Sequence, residues 1–293
     1  MAERQNSLPG NRMGRTGKNR ILTFLCTGFF TIMGALVAFP FIAMMIGSFY
    51  PGAELIGHGL AIRIEPEKMS LNNYILLFSG KQNKYFMWYK NSVVLTVITV
   101  VLTLTVCYFV AYGLAMYEYR LKNLLFFLVI ATMMVPFEIL ILPLYRQMID
   151  FDLIDSTVGV ILPGLVGAST VFFFKQFMSG LPKELLDAGR IDGATEFGIC
   201  LKIMLPITKP ALAAMAILSS MGAWNSMLWP MLVYRTPGKF TLPIGMNTLM
   251  TPYGNDYDLL IVGSVFAVLP IFIVFLIFQK YFIEGMTAGA VKG

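Results

Sequence analysis

Residues 179–202 read SGLPKELLDAGRIDGATEFGICLK. The segment is polar and lies between two long apolar runs, 156–174 and 210–234. Pro182 suits a first helical turn, where its missing N–H is no loss. Glu184 follows and favours the positive end of the helix dipole. Leu185, Ala188 and Ile191 recur every three residues, which predicts a narrow apolar stripe. Asp192-Gly193 ends this helix, and Asp192 is the expected cap of a second short helix with Glu196 near its start. Two short helices joined at Gly193, with a stripe resting on the chain's own helix ends, form a rigid element able to transmit force. The residues equally allow an amphipathic helix resting on a bilayer surface.

The runs on either side set the class. Of 293 residues, 57% are hydrophobic and only 13% charged, about half the charged share of a soluble domain. Crossing ~30 Å of hydrocarbon takes about 20 apolar residues. Six stretches qualify: 21–53, 91–117, 123–145 (interrupted only by Glu138), 156–174, 210–234 and 259–279. The sequence therefore predicts an all-α integral membrane protein with six transmembrane helices. Its parts are a tail at 1–20, a first span at 21–50, a long loop at 51–90, a core at 91–282 containing the 179–202 loop, and a tail at 283–293. Arg4, Arg12, Arg15, Lys18 and Arg20 precede the first run, which is too long for a signal-peptide core and reads as a retained anchor.

Lysine and arginine concentrate on one set of loops. The positive-inside rule then puts both termini, and the 179–202 loop, in the cytoplasm. The net charge of +6 is thus an orientation signal, with no nucleic-acid partner implied. The 51–90 loop reads as a contact for a soluble partner or as an ordered spacer. Cys26, Cys107 and Cys200 are far apart and fit helix packing. His58 stands alone, in a loop, so no metal site is expected.

Asp187-Ala188-Gly189, Gly193 and Ile203-Met204-Leu205-Pro206 resemble the E-A-A-x3-G-x9-I-x-L-P signature of permease subunits of bacterial ATP-binding-cassette importers. The spacing matches throughout, with Asp187 in place of Glu and Gly189 in place of the second Ala. Asn91-Ser92, residues 111–115, Pro136 with residues 141–145, Trp224-Asn225, Leu228-Trp229-Pro230, Thr241-Leu242-Pro243 and the tail 287–293 are similar to carbohydrate importers of this class. Together these blocks resemble MalG-like permeases of the oligosaccharide-importing subgroup.

That resemblance implies a type I importer fold in the bacterial inner membrane, with 179–202 as a coupling helix. The matching docking positions are Glu184, Asp187, Ala188, Gly189, Asp192, Gly193 and Glu196. It also implies a second permease subunit forming a heterodimer, an ATPase dimer that binds ATP and magnesium, and an extracytoplasmic solute-binding protein. The cargo would be a sugar, with acidic oligosaccharides such as alginate fragments among those the subgroup carries. No cofactor is expected in this chain and no catalysis. In agreement, Gly17-Lys18, Gly80-Lys81 and Gly238-Lys239 lack the glycine spacing and the Ser or Thr of a phosphate loop.

Candidate residues for the path are Glu138, an ionisable group inside an apolar run, and Tyr112, Trp224, Asn225 and Trp229, which offer aromatic and polar contacts. Packing and interface anchoring account for the aromatics equally well. An ion-coupled secondary transporter is the competing class, resting on Glu138 alone. A membrane enzyme would need more than Asp150, Asp152 and Asp155, which read as a solvated loop.

Overall fold

A computed structural model of the chain describes residues 13–52, 54, 65–79, 84–251 and 254–290. His58, the basic residues Arg4 and Arg12, and residues 291–293 of the tail lie outside them. Among the described residues the chain forms thirteen α-helices. They are α1 (Met13–Gly47), α2 (Asn72–Phe78), α3 (Lys84–Met116), α4 (Lys122–Met133) and α5 (Phe137–Asp150). Then come α6 (Thr157–Ile161) with a 3-10 turn at Leu162–Gly164, α7 (Ala168–Ser179) and α8 (Glu184–Ile191). They are followed by α9 (Glu196–Ile207), α10 (Lys209–Trp224), α11 (Leu228–Val233), α12 (Leu242–Thr248) and α13 (Tyr257–Ala290). A two-residue ribbon, β1 (Met250–Thr251) antiparallel to β2 (Gly254–Asn255), precedes α13.

α1, α3 and α13 are each long and apolar enough to cross a bilayer. At 1.5 Å per residue the 33 residues of α3 reach ~50 Å, so this helix extends beyond the hydrocarbon. It begins at Lys84, ahead of the expected Asn91, because Tyr85 and Trp88 are buried and Lys84 and Lys90 are tolerated at the helix end. The long loop is shorter to the same extent and contains α2, where Asn73 donates to the carbonyls of Ser48 and Tyr50.

The other expected spans are bent. α4 and α5 meet at 101°, α6 with its 3-10 turn meets α7 at 47°, and α9 meets α10 at 76°. Proline and glycine explain the first two breaks. Pro136 is extended (φ −61°, ψ 135°) and starts α5, with Glu138 in its first turn. Pro163, Gly164 and Gly167 interrupt the next. The expected fifth span at 210–234 is also divided: α10 ends at Trp224, and α11 is a separate piece.

Of four buried clusters among the described residues, two span most of the bundle. One joins Tyr108, Ala111 and Ala115 of α3 to Val171, Phe174 and Met178 of α7, and includes Leu186, Ile199 and Met204. The other joins Tyr85 and Trp88 of α3 to Leu77, Trp224, Leu242, Leu259 and Val262. There the Asn91-Ser92 and Thr241-Leu242-Pro243 blocks meet. Asn91 donates to the carbonyls of Gly238 and Phe240, and Ser92 Oγ accepts from the Leu242 N–H at 2.7 Å. α1 stands apart. It packs on α13 and leaves large side chains such as Phe24 (78% exposed) on its outer surface, as a lipid-facing or subunit-facing helix does.

Candidate functional site

The 179–207 segment forms an elbow that rests on the ends of α3, α7 and α10. Asp192-Gly193 ends α8 as predicted. The Gly193 N–H bonds the Arg190 carbonyl at 3.0 Å, and the Ala194 N–H bonds the Gly189 carbonyl at 2.9 Å. These are the two bonds of a Schellman turn, and Gly193 takes the left-handed conformation it needs (φ 77°). α9 is capped by Thr195, whose Oγ1 accepts from the Gly198 N–H at 3.1 Å, and not by the expected Asp192. Asp192 occupies the turn itself. α9 then widens into a π-helix over Ile199–Met204, which turns Ile199, Cys200 and Met204 together into the core.

The packed face of α8 also differs from the expected stripe. Leu186 (2% exposed) and Gly189 are buried, whereas Ala188 is exposed and Ile191 is 86% exposed. α8 crosses α9 closely at Gly189, where a Cβ would sit 2.8 Å from Ile203 Cδ1 and 2.9 Å from Ile199 Cγ1. The glycine that lowers helix propensity is the position of closest approach. The facing helix, absent from a period count on α8 alone, selects the Leu186–Gly189 side.

Of the seven predicted docking positions, Glu184, Asp187, Ala188, Asp192, Gly193 and Glu196 face outward, and Gly189 faces inward. Arg190, missed in the sequence, holds two of the four acidic ones, Asp187 and Glu196. Its Nη1 bonds Asp187 Oδ1 at 3.0 Å, and its Nε and Nη2 bond Glu196 Oε1 and Oε2 at 2.7 and 3.3 Å. Tyr117, just past α3, donates to Glu196 Oε2 at 2.6 Å. Hydrogen bonds from Arg190, then Tyr117, hold the Glu196 carboxyl below its ordinary range, and Glu196 raises Arg190 above its own. Beside it, Lys183 bonds Glu118 at 2.6 Å, and Lys122 reaches the same oxygen at 3.1 Å. The elbow is tied to the α3–α4 turn by two charge-assisted contacts. Its outer surface carries Ile191 and Phe197 (63% exposed), the latter stacked on Phe109 at 5.6 Å.

The path candidates scatter. Trp224 is buried, donates to the Ala267 carbonyl at 3.1 Å and packs edge-on against Tyr89. Tyr112 is buried beside Tyr117 at the elbow end of α3. Asn225 and Glu138 are exposed. Trp229 lines a cavity of about 310 Å³ between α3, the α6–α7 break and α10. Its Nε1 bonds the Gly159 carbonyl at 3.2 Å.

At the opposite end from the elbow, the expected solvated loop at 150–155 is an ordered latch. Asp155, at φ 58°, accepts from the N–H groups of Arg235 and Thr236 at 2.9 and 3.1 Å, from Thr236 Oγ1 at 2.7 Å and from Lys239 Nζ at 2.9 Å. Arg235 also donates to the Tyr145 hydroxyl. Among the described residues no cluster of His, Cys, Asp or Glu could hold a metal.

Residues 108–288 match the model of the binding-protein-dependent transport system inner membrane component family. The chain is 51% identical over 267 residues to the arabinooligosaccharides transport system permease protein AraQ of Bacillus subtilis (strain 168), covering 91% of this chain and 95% of that one. It is 30% identical to the lactose transport system permease protein LacG of Rhizobium radiobacter, covering 88% and 92%. Its fold matches a chain of a bacterial transporter that imports the acidic polysaccharide alginate. The TM-score is 0.77 and the identity 22%, over 94% of this chain and 100% of that one.

Proposed function

The chain belongs to the family of binding-protein-dependent transport inner membrane components, and from that premise we propose that it forms half of the path by which an ATP-driven importer takes up oligosaccharides. It is a multi-pass membrane permease with the all-α type I importer fold. Sugar-transport permeases at 51% and 30% identity support the cargo class. The first of them, named for arabinooligosaccharides, makes short pentose oligosaccharides the first substrates to try.

The chain performs no catalysis. A separate ATPase dimer binds ATP and magnesium, a second permease completes the path, and a solute-binding protein delivers sugar from outside. Both termini lie in the cytoplasm, as the distribution of basic residues supports. The observation that carries the mechanism is the elbow. Ile191, Asp192 and Phe197 project from it, while Leu186 and Gly189 root it in the cluster shared by α3, α7 and α10. Glu184, Asp187, Ala188, Asp192, Gly193 and Glu196 present an acidic and apolar knob to a cleft on the ATPase. Closure of the ATPase dimer pushes the knob, and the rooted elbow carries that displacement into the spans. Differential binding of ATP between the two states supplies the bias.

Affinity purification in detergent tests the assembly. Recovery of an ATPase and a second permease is expected, with ATP hydrolysis stimulated by a sugar-loaded binding protein. Uptake that proceeds without ATP and follows an ion gradient would replace this reading with the secondary transporter.

A further inference from the structure

We infer that Glu118 is a positioning residue for transport, which ties the elbow to α4 by bridging Lys183 at the head of α8 and Lys122 at the head of α4. This rests on the importer reading and adds which span the elbow drives.

The arm formed by α4 and α5 is weakly rooted. α4 contains no buried residue, and α5 contains only Met148. The arm bends by 101° at Pro136. α3 and α7 differ, since both place side chains in the cluster that roots the elbow at Leu186, Ile199 and Met204. A close-packed core moves as a body, so a displaced elbow carries α3 and α7 with it through packing. α4 lies against α7 by its surface. Phe126 stacks on Phe172 at 6.0 Å, and Lys175 Nζ lies 4.1 Å from the centre of the same Phe126 ring. Contacts of this kind permit one helix to slide on another.

Glu118 supplies the tie that packing does not. Its Oε1 accepts from Lys183 Nζ at 2.6 Å and from Lys122 Nζ at 3.1 Å. Lys183 is the N-cap of α8, and Lys122 is the first residue of α4. One oxygen thus joins the starts of two helices that are distant in sequence. The Lys122 side chain is 16% exposed, so its ammonium is held by its surroundings, and Glu118 has a fixed point on α4 to pull against. Hydrogen bonds from Lys183, then Lys122, hold the Glu118 carboxyl below its ordinary range.

The neighbouring residue acts in parallel, because Tyr117 donates to Glu196 at 2.6 Å. Adjacent residues of the α3–α4 turn therefore grip both helices of the elbow, Tyr117 holding α9 and Glu118 holding α8. Exposed ion pairs add little to stability, so the tie sets where α4 lies and not whether the chain folds.

The test uses the complete transporter in proteoliposomes with its binding protein. Glu118→Gln keeps the side chain's shape and removes its charge. It is expected to assemble at wild-type yield and to move about threefold less sugar per ATP hydrolysed. Lys183→Gln should do the same, and Lys183→Arg should keep the wild-type ratio. Each single variant removes the same contact, so the double variant should lose no more than either one. Movement of α4 is read separately, from a fluorophore on Leu124→Cys in a Cys26→Ser background. Leu124 is exposed on α4, whereas Cys107 and Cys200 are buried out of reach of the label. ATP is expected to shift the emission when Glu118 is present and to shift it much less in Glu118→Gln. An unchanged ratio of sugar to ATP in Glu118→Gln overturns the tie, as do additive losses in the double variant. A label that ignores ATP with Glu118 present, or responds fully without it, overturns it too. A lower yield with the ratio intact would make Glu118 merely structural. Wild-type vesicles that take up no sugar with ATP overturn the importer reading instead.

Discussion

Nε of Arg190 lies 2.7 Å from Oε1 of Glu196, across the turn made by Gly193. The guanidinium also holds Asp187, so one planar cation locks the angle between α8 and α9. Exposed ion pairs add little to stability, so the consequence is positional. Arg190→Gln is expected to leave the yield of assembled complex unchanged and to lower sugar moved per ATP by about threefold to tenfold, within the span of coupling changes from single residues. Arg190→Lys should recover only part, because an ammonium lacks the fork that spans both carboxylates. Measuring uptake and ATP hydrolysis in the same vesicles checks this, and an unchanged ratio in Arg190→Gln would remove Arg190 from the coupling element.

Gly193 sets the same angle through its backbone. Most other L-residues there carry about 1–2 kcal/mol of left-handed strain. No atom lies within 4 Å of the missing Cβ, so the strain is conformational and not steric. Gly193→Asn, which tolerates this region, should transport better than Gly193→Val. Both complexes should assemble, with Gly193→Val hydrolysing ATP uncoupled from uptake. Wild-type uptake by Gly193→Val would defeat the claim.

The elbow also shows what a single sequence reveals. The turn at Gly193 was legible because its cause is local: one residue whose φ only glycine adopts readily. The bends at Pro136 and Pro163 have equally local causes. The packed face of α8 was not legible, since Gly189 is buried by Ile199 and Ile203 from a helix in π geometry, and no periodicity on α8 reports its partner. Arg190 was passed over for the same reason. Its carboxylates lie three and six residues away in sequence, and only the Gly193 turn brings Glu196 back to it. Among the path candidates both tryptophans are buried in core clusters, Trp224 with Tyr85 and Trp88 and Trp229 with Met148 and Val233, and Trp229 also lines a cavity. The sequence offers both as Trp in an apolar run, and the break after Trp224 separates their clusters.

The contact between α12 and α3 gives a stability prediction. Gly245 lies flat against the Trp88 ring, and a Cβ there would overlap it. Because Trp88 is buried at 4% exposure, it has little room to move. Gly245→Ala should destabilise the chain by about 1–3 kcal/mol, the usual cost of overpacking. Gly113→Ala, with nothing within 4 Å of its Cβ, is the matched control and should be neutral or slightly stabilising. Melting of the two variants in detergent distinguishes them, and equal midpoints would contradict the Trp88 contact.

Asp155 supplies a prediction in pH. Lys239, then Thr236 and Arg235, hold its carboxyl well below the usual carboxylate range. A depressed folded-state pKa contributes stability that is fully present above the unfolded value, ~3.9 for aspartate, and lost as pH falls through the folded one. The latch between 151–156 and 234–240 should therefore stay closed from pH 5 to 8 and open only in strong acid. Hydrogen exchange of these two segments, corrected for intrinsic rates, should be flat across that window and rise below it. Asp155→Asn keeps the side chain's shape but loses its charge, so Lys239 and the Thr236 hydroxyl lose their ionic acceptor. It should show raised exchange already at pH 7, with little further change in acid. Flat, wild-type protection in Asp155→Asn would mean that Tyr234, through Thr157, and the Arg235–Tyr145 contact close this end without the carboxylate.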